Sequence, residues 1–211
     1  MPILSHAGTV TTATVTQGPA NTDFEFRLSI DKYNGPQPLQ SVEIFMSTHV
    51  VDTDLTLING SSLPQTFTFK ATVDTLVSSS PLSAFNGLVT NPNTILDTGF
   101  VTFSAGESRS YGPIDKTFLA DSGASTIASD LAAVTGTGTF DISGRTLSGT
   151  SFLGGGGNIT LNQVQKATIS AYAVYTYANA PTIPEPSTLA LLGLGSVGFA
   201  VVARRRHLQK D

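Results

Sequence analysis

Apolar and polar residues alternate along several short segments of the chain. In segments 24–30, 42–50 and 166–177, apolar side chains occupy almost every second position, and most of the side chains between them are polar. Successive side chains of an extended strand point to opposite faces of a sheet, so this period of two gives each segment one apolar and one polar face. The pattern predicts three half-buried antiparallel strands.

Shorter segments rich in β-branched and aromatic residues predict further strands. These are segments 9–16, 55–58, 66–73, 99–103, 117–120, 138–142 and 158–161. Segment 125–134 favours a short helix with Ser125 or Thr126 as its N-cap. Clustered Ser, Pro, Asn and Gly predict loops at 78–81, 90–93 and 154–157. Many short strands and no long helical period predict an all-β protein, an antiparallel β-sandwich of jelly-roll or immunoglobulin-like topology.

The C-terminal segment breaks this pattern because residues 187–203 carry no charge. A helix of that length would extend about 25 Å, slightly less than the roughly 30 Å of a membrane hydrocarbon core. Its Leu, Val and Phe side chains favour insertion, whereas its Gly and Ser residues weaken insertion. The segment is predicted to be one short transmembrane helix. Its span residues are Ser187, Leu189, Leu191, Leu192, Leu194, Val197, Phe199, Val201, Val202 and Ala203.

The flanks of this predicted helix differ in kind. Pro184, Glu185 and Pro186 precede it, and the two prolines keep that tripeptide extended and accessible. A stop-transfer cluster of arginines follows it. The cluster consists of Arg204, Arg205 and Arg206. By the positive-inside rule, these charges predict that residues 207–211 form a cytoplasmic tail and that the body lies across the membrane.

These three parts, in this order, resemble the PEP-CTERM sorting signal of Gram-negative bacteria. The resemblance covers residues 184–206, and residues 179–183 join the signal to the body as a linker. It implies that the partners are a membrane-embedded exosortase, which cleaves near the Pro-Glu-Pro motif, and the membrane lipid around the helix. It also implies delivery to the cell surface or its exopolysaccharide matrix. The alternative is an ordinary C-terminal membrane anchor with a proline-containing linker.

Export also requires an N-terminal signal. Residues 1–7 contain no basic region and few apolar residues, but the tripeptide of Ser5, His6 and Ala7 has small residues at the positions expected just before a signal-peptidase cut. We therefore expect residues 1–7 to be the end of a signal peptide whose start lies upstream. The alternative is a disordered N-terminus of a protein that is not exported.

The body, residues 8–178, resembles the choice-of-anchor E domain. The resemblance rests on scattered landmarks at Phe24 and in segments 38–44, 130–138, 157–158 and 174–177. Val134 departs from it, because an aromatic residue is expected there. The family implies a surface domain found with alternative C-terminal anchors, and it implies no known reaction.

Composition excludes several classes of function. The net charge of −4 and the absence of a basic patch outside the tail argue against a nucleic-acid partner. The chain has no cysteine, which excludes thiol chemistry and cysteine-based metal sites. No phosphate-binding loop follows the glycines at 154–157, because the required Lys-Ser/Thr is missing. We expect no cofactor.

Few residues are candidates for catalysis or metal binding. His49 lies one position away from the apolar set of its segment and should face solvent. Asp52 and Asp54 would share one face of an extended segment, as calcium ligation or acid–base chemistry requires, although a solvated strand end would explain them equally well. No Gly-x-Ser-x-Gly elbow is present. The sequence predicts that the protein is not an enzyme.

Two classes of function remain. The first is a structural or adhesive surface protein in the envelope or in biofilm polysaccharide. The alternative is a non-catalytic glycan-binding module that offers flat apolar tyrosine rings to sugars. The candidate residues for that role are Tyr33, Tyr111, Tyr172, Tyr175 and Tyr177.

Overall fold

Twelve β-strands are formed by residues 7–87, 93–155 and 157–178, which are the residues that this computed structural model describes. The first sheet contains β1 (Ala7–Thr11), β2 (Val15–Asn21), β4 (Leu39–Asp52), β9 (Ile114–Asp121) and β12 (Gln165–Ala178). The second contains β3 (Glu25–Asp31), β6 (Gln65–Ser79), β7 (Asn93–Phe103) and β10 (Thr139–Gly154). A small third sheet contains β5 (Thr56–Asn59), β8 (Ser108–Ser110) and β11 (Ile159–Asn162).

Burial follows the period of two in the sequence. In β3, Phe26, Leu28 and Ile30 are buried, and the residues between them are exposed. β4 and β12 alternate in the same way along almost their whole length. All strand pairs within the three sheets are antiparallel. The predicted all-β, antiparallel class is confirmed.

The strand order decides between the two predicted topologies. The first sheet runs β1-β12-β4-β9 with β2 also paired to β12, and the second runs β3-β10-β6-β7. The pairs are nested along the chain, since β2 pairs with β12, β3 with β10, β4 with β9 and β6 with β7. A long hairpin of four nested strand pairs, wrapped into two facing sheets, is the arrangement of a jelly roll.

The core lies between the sheets as two adjoining clusters. One is built mainly from β3, β4, β10 and β12, and the other mainly from β5, β6 and β7. Two polar contacts also join the sheets, one buried and one part-buried. Thr48 and Thr75 share a hydrogen bond of 2.7 Å between their hydroxyls, and Tyr175 Oη donates to the Asp31 carbonyl at 2.7 Å. The two sheets therefore share apolar packing and direct hydrogen bonds.

Some boundaries differ from the prediction because pairing, rather than local pattern, determines them. Segment 9–16 is split between β1 and β2, and Thr12 bridges the break by exchanging hydrogen bonds with Ala173. β10 continues to Gly154, beyond the predicted 138–142, because it pairs with β6 along that length. β8 was not predicted, since its three polar residues form a strand only against β5.

The helix α1 (Ala128–Ala133) lies within the predicted segment, but the predicted cap is wrong. Ile127 occupies the N-cap position and makes no side-chain capping hydrogen bond. Ser125 instead accepts a hydrogen bond from Ile127 N at 3.3 Å and donates to the buried Asp130 carboxylate at 2.8 Å. Ser125 therefore orders the turn before the helix, two residues ahead of the cap.

The predicted linker at 179–183, the Pro-Glu-Pro motif, the transmembrane span at 187–203 and the arginine cluster all lie outside the described residues. Most of the predicted signal-peptide remnant at 1–7 lies outside them as well, and its last residue, Ala7, is the first residue of β1. No helix in the part of the chain that the structure describes is long and apolar enough to cross a membrane.

Candidate functional site

The two ends of the sandwich domain lie side by side. β1 pairs antiparallel with the end of β12, with Ala7 opposite Ala178 and Gly8 opposite Tyr177. Gly8 is packed so closely on the Tyr177 ring that an added Cβ would lie 2.5 Å from it. The final residues of β12 are therefore paired with β1, and the predicted sorting motif follows them in the sequence.

Two of the five candidate tyrosines are unavailable to a ligand. Tyr33 and Tyr175 are buried at 5% and 1% exposure, and their ring centroids are 5.7 Å apart. Burial, and then the nearby charge of Asp31, raise the pKa of Tyr175 well above its usual range. The prediction that these two rings present flat faces to sugars is wrong. Tyr175 belongs to the core because it has the inward phase of β12. Tyr33 follows the end of β3, and its backbone N–H donates to the Val134 carbonyl at 2.8 Å, which holds this residue against the core.

Two further tyrosines are half-buried at the edges of the core. Tyr177 stacks on Tyr33 with centroids 5.8 Å apart and an angle of 27° between the ring planes. Tyr111 packs against the second cluster, and its backbone N–H donates to the Leu55 carbonyl at 2.8 Å. Each ring is thus partly occupied by contacts within the protein.

Tyr172 is different because it stands on the outer face of the first sheet. It lies directly opposite Phe45 on β4, and the two rings stack with centroids 5.1 Å apart and an interplanar angle of 14°. Both side chains are half-buried. Side-by-side aromatic rings on neighbouring strands stabilise each other, so the pair forms a rigid apolar wall.

A depression of about 280 Å³ lies beside this wall. Ser47 and Ser170 face each other across β4 and β12 one row further along, and Leu119 of β9 lies opposite Ser47. Because serine side chains are small, the surface at Ser47 and Ser170 lies below the larger side chains that border it, which are those of Phe45, Tyr172 and Leu119. The outer-face depression, as we call it, is lined by Thr14, Phe45, Met46, Ser47, Leu119, Ala120, Asp121, Ser170 and Tyr172.

Polar groups occur at defined positions in the outer-face depression. Ser170 Oγ shares a hydrogen bond of 2.9 Å with Thr16 Oγ1, and Asp121 Oδ1 accepts from Gly123 N at 3.0 Å. Asp121 is exposed and lies opposite Phe45. Among the described residues that line the depression, none is cationic. The depression thus combines an aromatic wall with hydroxyls and one carboxylate.

Asp52 and Asp54 are placed differently from each other. Asp52 is fully buried at the end of β4, and its Oδ1 accepts the Asp54 backbone N–H at 3.1 Å, whereas Asp54 is exposed. Neither the shared face nor the solvated strand end expected for this pair is formed, because the chain turns between the two residues. Within residues 7–87, 93–155 and 157–178, no group of three or more His, Cys, Asp or Glu side chains could hold a metal ion.

His49 lies on the outer face of β4, and its side chain is 41% exposed, as the strand phase predicts. Its Nε2 is 2.8 Å from Oδ1 of Asp115 on β9. Asp115 is itself 74% exposed, so water surrounds the pair. The contact is a surface hydrogen bond between neighbouring strands.

Phe45 and Leu119 were not among the candidates from the sequence. The signal for Phe45 was present, because it lies between the buried Ile44 and Met46 and therefore has the outward phase of β4. Tyr172 has the same outward phase in β12. An aromatic residue in the outward phase of a strand is the pattern that marks this surface.

Solved structures resemble the chain only remotely. A structure of infectious bursal disease virus, Gx strain, is 11% identical with a TM-score of 0.25, and the match covers 85% of this chain and 37% of that one. The VP2 subviral particle of the same virus is 12% identical with a TM-score of 0.24, covering 84% and 38%. The chain thus spans well under half the length of either structure, and these scores establish no shared fold. No curated protein matches the chain.

The sorting signal expected from the sequence is matched directly. The family model of the PEP-CTERM protein-sorting motif matches residues 182–206, which include the Pro-Glu-Pro tripeptide, the apolar segment and the arginine cluster. The resemblance of the body to the choice-of-anchor E domain stays a prediction. Residues 182–206 are a PEP-CTERM protein-sorting motif, and they mark this chain as an exosortase-sorted protein of the cell envelope or surface.

Proposed function

We propose that this chain is a structural or adhesive surface protein of a Gram-negative bacterium, which an exosortase releases from the inner membrane into the envelope or the biofilm polysaccharide. The match of residues 182–206 to the PEP-CTERM motif carries the proposal. The domain before the motif would have the structural or adhesive role, and the tail would serve only to direct the domain to the envelope or the polysaccharide.

The end of the fold supports processing at the motif. β12 ends at Ala178, which precedes Pro184 by six residues, and its last residues are paired with β1. Cleavage near the tripeptide of Pro184, Glu185 and Pro186 would therefore leave all twelve described strands intact. The released domain would keep both core clusters and all of the strand pairs described above.

The membrane intermediate is part of the proposal. The apolar segment 187–203 would hold the chain in the inner membrane with the sandwich domain in the periplasm, and Arg204, Arg205 and Arg206 would stop its transfer. Because this segment is short for a span and rich in glycine, it suits a temporary anchor.

The domain is proposed to be non-catalytic. A hydrolase needs an activated nucleophile or a pair of carboxylates at a defined separation, together with a general acid or base. His49 of β4 and Asp115 of the edge strand β9 contact each other, but their side chains are 41% and 74% exposed, so water surrounds the pair. A scaffold or adhesin needs only a stable surface.

The alternative of a glycan-binding module keeps one specific observation in its favour. Of the five candidate tyrosines, Tyr172 stands on an outward face and pairs with Phe45 beside the outer-face depression. A glycan-binding role would be compatible with sorting to the surface, because the depression is formed by residues of the domain and the sorting motif lies in the C-terminal tail.

The sorting proposal is tested by following the full chain in an exosortase-encoding host. We expect the mature protein at the surface or in the medium to lack Arg204, Arg205 and Arg206 by intact mass. Glu185→Ala should leave the uncleaved chain in the membrane fraction, whereas Lys210→Ala, outside the matched motif, should be sorted normally. Surface protein that still carries the arginine cluster would contradict the proposal.

A further inference from the structure

We propose that the outer-face depression binds a pyranose unit of a neutral polysaccharide. The proposal deepens the proposed function, on which it rests for access to the matrix, by naming the surface that contacts polysaccharide there. It concerns residues of β4, β9 and β12, and none of the sorting residues.

The aromatic wall gives the first reason. A pyranose ring has apolar C–H faces, and these pack on flat aromatic rings whose polar edges or neighbours can contact hydroxyls. Phe45 and Tyr172 offer two nearly parallel rings at one side of the depression, and Leu119, which is 81% exposed, borders another. When a ligand covers exposed apolar side chains, the removal of their surface from water favours binding.

The polar groups give the second reason. A sugar also requires hydrogen-bond donors and acceptors, and the floor and rim supply the hydroxyls of Ser47, Ser170 and Thr14 and the carboxylate of Asp121. A lipid chain or an apolar protein segment would displace water from these groups and offer them no hydrogen-bond partner in return, at a cost in free energy. A mostly apolar recess with a few polar groups at fixed positions is typical of small-molecule sites.

The charge of the outer-face depression favours neutral over anionic polysaccharides. Asp121 is the charged residue that lines the depression, and no described lining residue is cationic. An anionic polymer would be repelled by this carboxylate and would find no positive partner. The depression therefore suits a neutral sugar.

The site is also rigid before binding. β4 and β12 are inner strands of their sheet, with paired neighbours on both sides, and Ser170 is held by Thr16 of β2. The aromatic rings are fixed by their mutual stacking. A preorganised site loses little conformational entropy on binding, so a shallow surface can still bind usefully.

The four-stranded sheet provides a matched control. Phe100 of β7 is 72% exposed, and among the described residues it stacks on no other aromatic ring. Phe100 has the same side chain as Phe45 but lies on a different sheet, away from the depression. Phe100→Ala therefore removes an exposed aromatic ring without touching the proposed site.

The experiment uses the full chain, purified in mild detergent, with insoluble cellulose, starch and chitin as neutral polymers and alginate gel as the anionic comparison. We expect retention on at least one neutral polymer and none on alginate. Phe45→Ala with Tyr172→Ala should weaken retention about tenfold or more, and Phe100→Ala should leave it unchanged. Leu119→Ser changes a side chain that is already exposed, so it tests the depression with little risk to folding.

A reporter variant gives an independent result. The chain has no tryptophan, so Tyr172→Trp places a single indole at the wall while keeping an aromatic ring there. Its emission should change when the retaining polymer, as soluble oligosaccharide, is added. Absence of retention on all three neutral polymers, unchanged retention after loss of both rings, preferential binding to alginate, or unchanged emission would each overturn the proposal. Tail cleavage would proceed normally in all of these variants, so failure here is distinguishable from failure of the sorting proposal.

Discussion

The two large sheets have similar inner faces and different outer faces. Both bury alternating aliphatic and aromatic residues, and both supply one partner of the Thr48–Thr75 hydrogen bond. On the outside, the five-stranded sheet carries a half-buried aromatic pair beside a recess, whereas the four-stranded sheet carries ion pairs and an isolated, exposed Phe100. Water exclusion imposes the same requirement on both inner faces, but it leaves the outer faces free to differ.

The largest expected effect tests the similarity of the inner faces. Ile44 of β4 and Ile142 of β10 are both fully buried in the first cluster. Ile44→Ala and Ile142→Ala should each lower the free energy of unfolding by about 2–5 kcal/mol, through lost burial and the cavity that remains. Urea unfolding followed by circular dichroism measures both. A loss below about 1 kcal/mol for only one of them would show that the two sheets do not share the core equally.

Much of the fold could be predicted from the sequence because the long strands are buried on one side only. In β3, β4 and β12 the period of two was sufficient. The period of two did not predict strands whose side chains are exposed on both faces. The second half of β10 is such a case, because its last residues are exposed and form a strand through pairing with β6. Long-range pairing cannot be recognised in a short polar segment, and this is also why β8 was not predicted.

The candidate site could be predicted only in part. Strand phase separates Tyr172, which points outward, from Tyr175, which points inward, although both were treated alike as candidates. The same phase places Asp52 with the buried residues of β4, against the expectation from its charge. The depression itself depends on the register between β4 and β12. This register aligns Ser170 with Ser47 and Tyr172 with Phe45, and so places two small side chains beside the aromatic pair.

An intermediate effect tests the difference between the outer faces. Phe45 is half-buried against Tyr172, so Phe45→Ala should lower the free energy of unfolding by about 2 kcal/mol through lost apolar contact and stacking. Phe100→Ala should change it by less than about 0.5 kcal/mol, because that ring is 72% exposed. Thermal and urea unfolding of both variants give the comparison. Equal losses would mean that the Phe45–Tyr172 pair is no better packed than an isolated surface ring.

The smallest effect concerns the contact between the sheets at Tyr175, and it depends on pH. Burial raises the pKa of this hydroxyl above its usual value, and the hydroxyl donates to the Asp31 carbonyl of β3. The folded state therefore keeps the proton above about pH 10, where a tyrosine in the unfolded chain releases it. The contribution of this group to stability is complete below pH 10 and is lost as the pH rises toward the higher folded-state pKa.

Tyr175→Phe isolates that contribution. Between pH 10 and pH 11 the wild-type free energy of unfolding should fall by about 1 kcal/mol more than that of the variant, because one proton fewer is bound in the unfolded state. Urea unfolding at a series of pH values measures this slope, and the other tyrosines cancel in the difference. Tyr172→Phe is the matched control, because it removes a hydroxyl from the outer face and leaves the hydrogen bond from Tyr175 to Asp31 in place. Equal slopes for wild type and Tyr175→Phe would mean that the hydroxyl ionises in the folded protein and does not bind the sheets together at high pH.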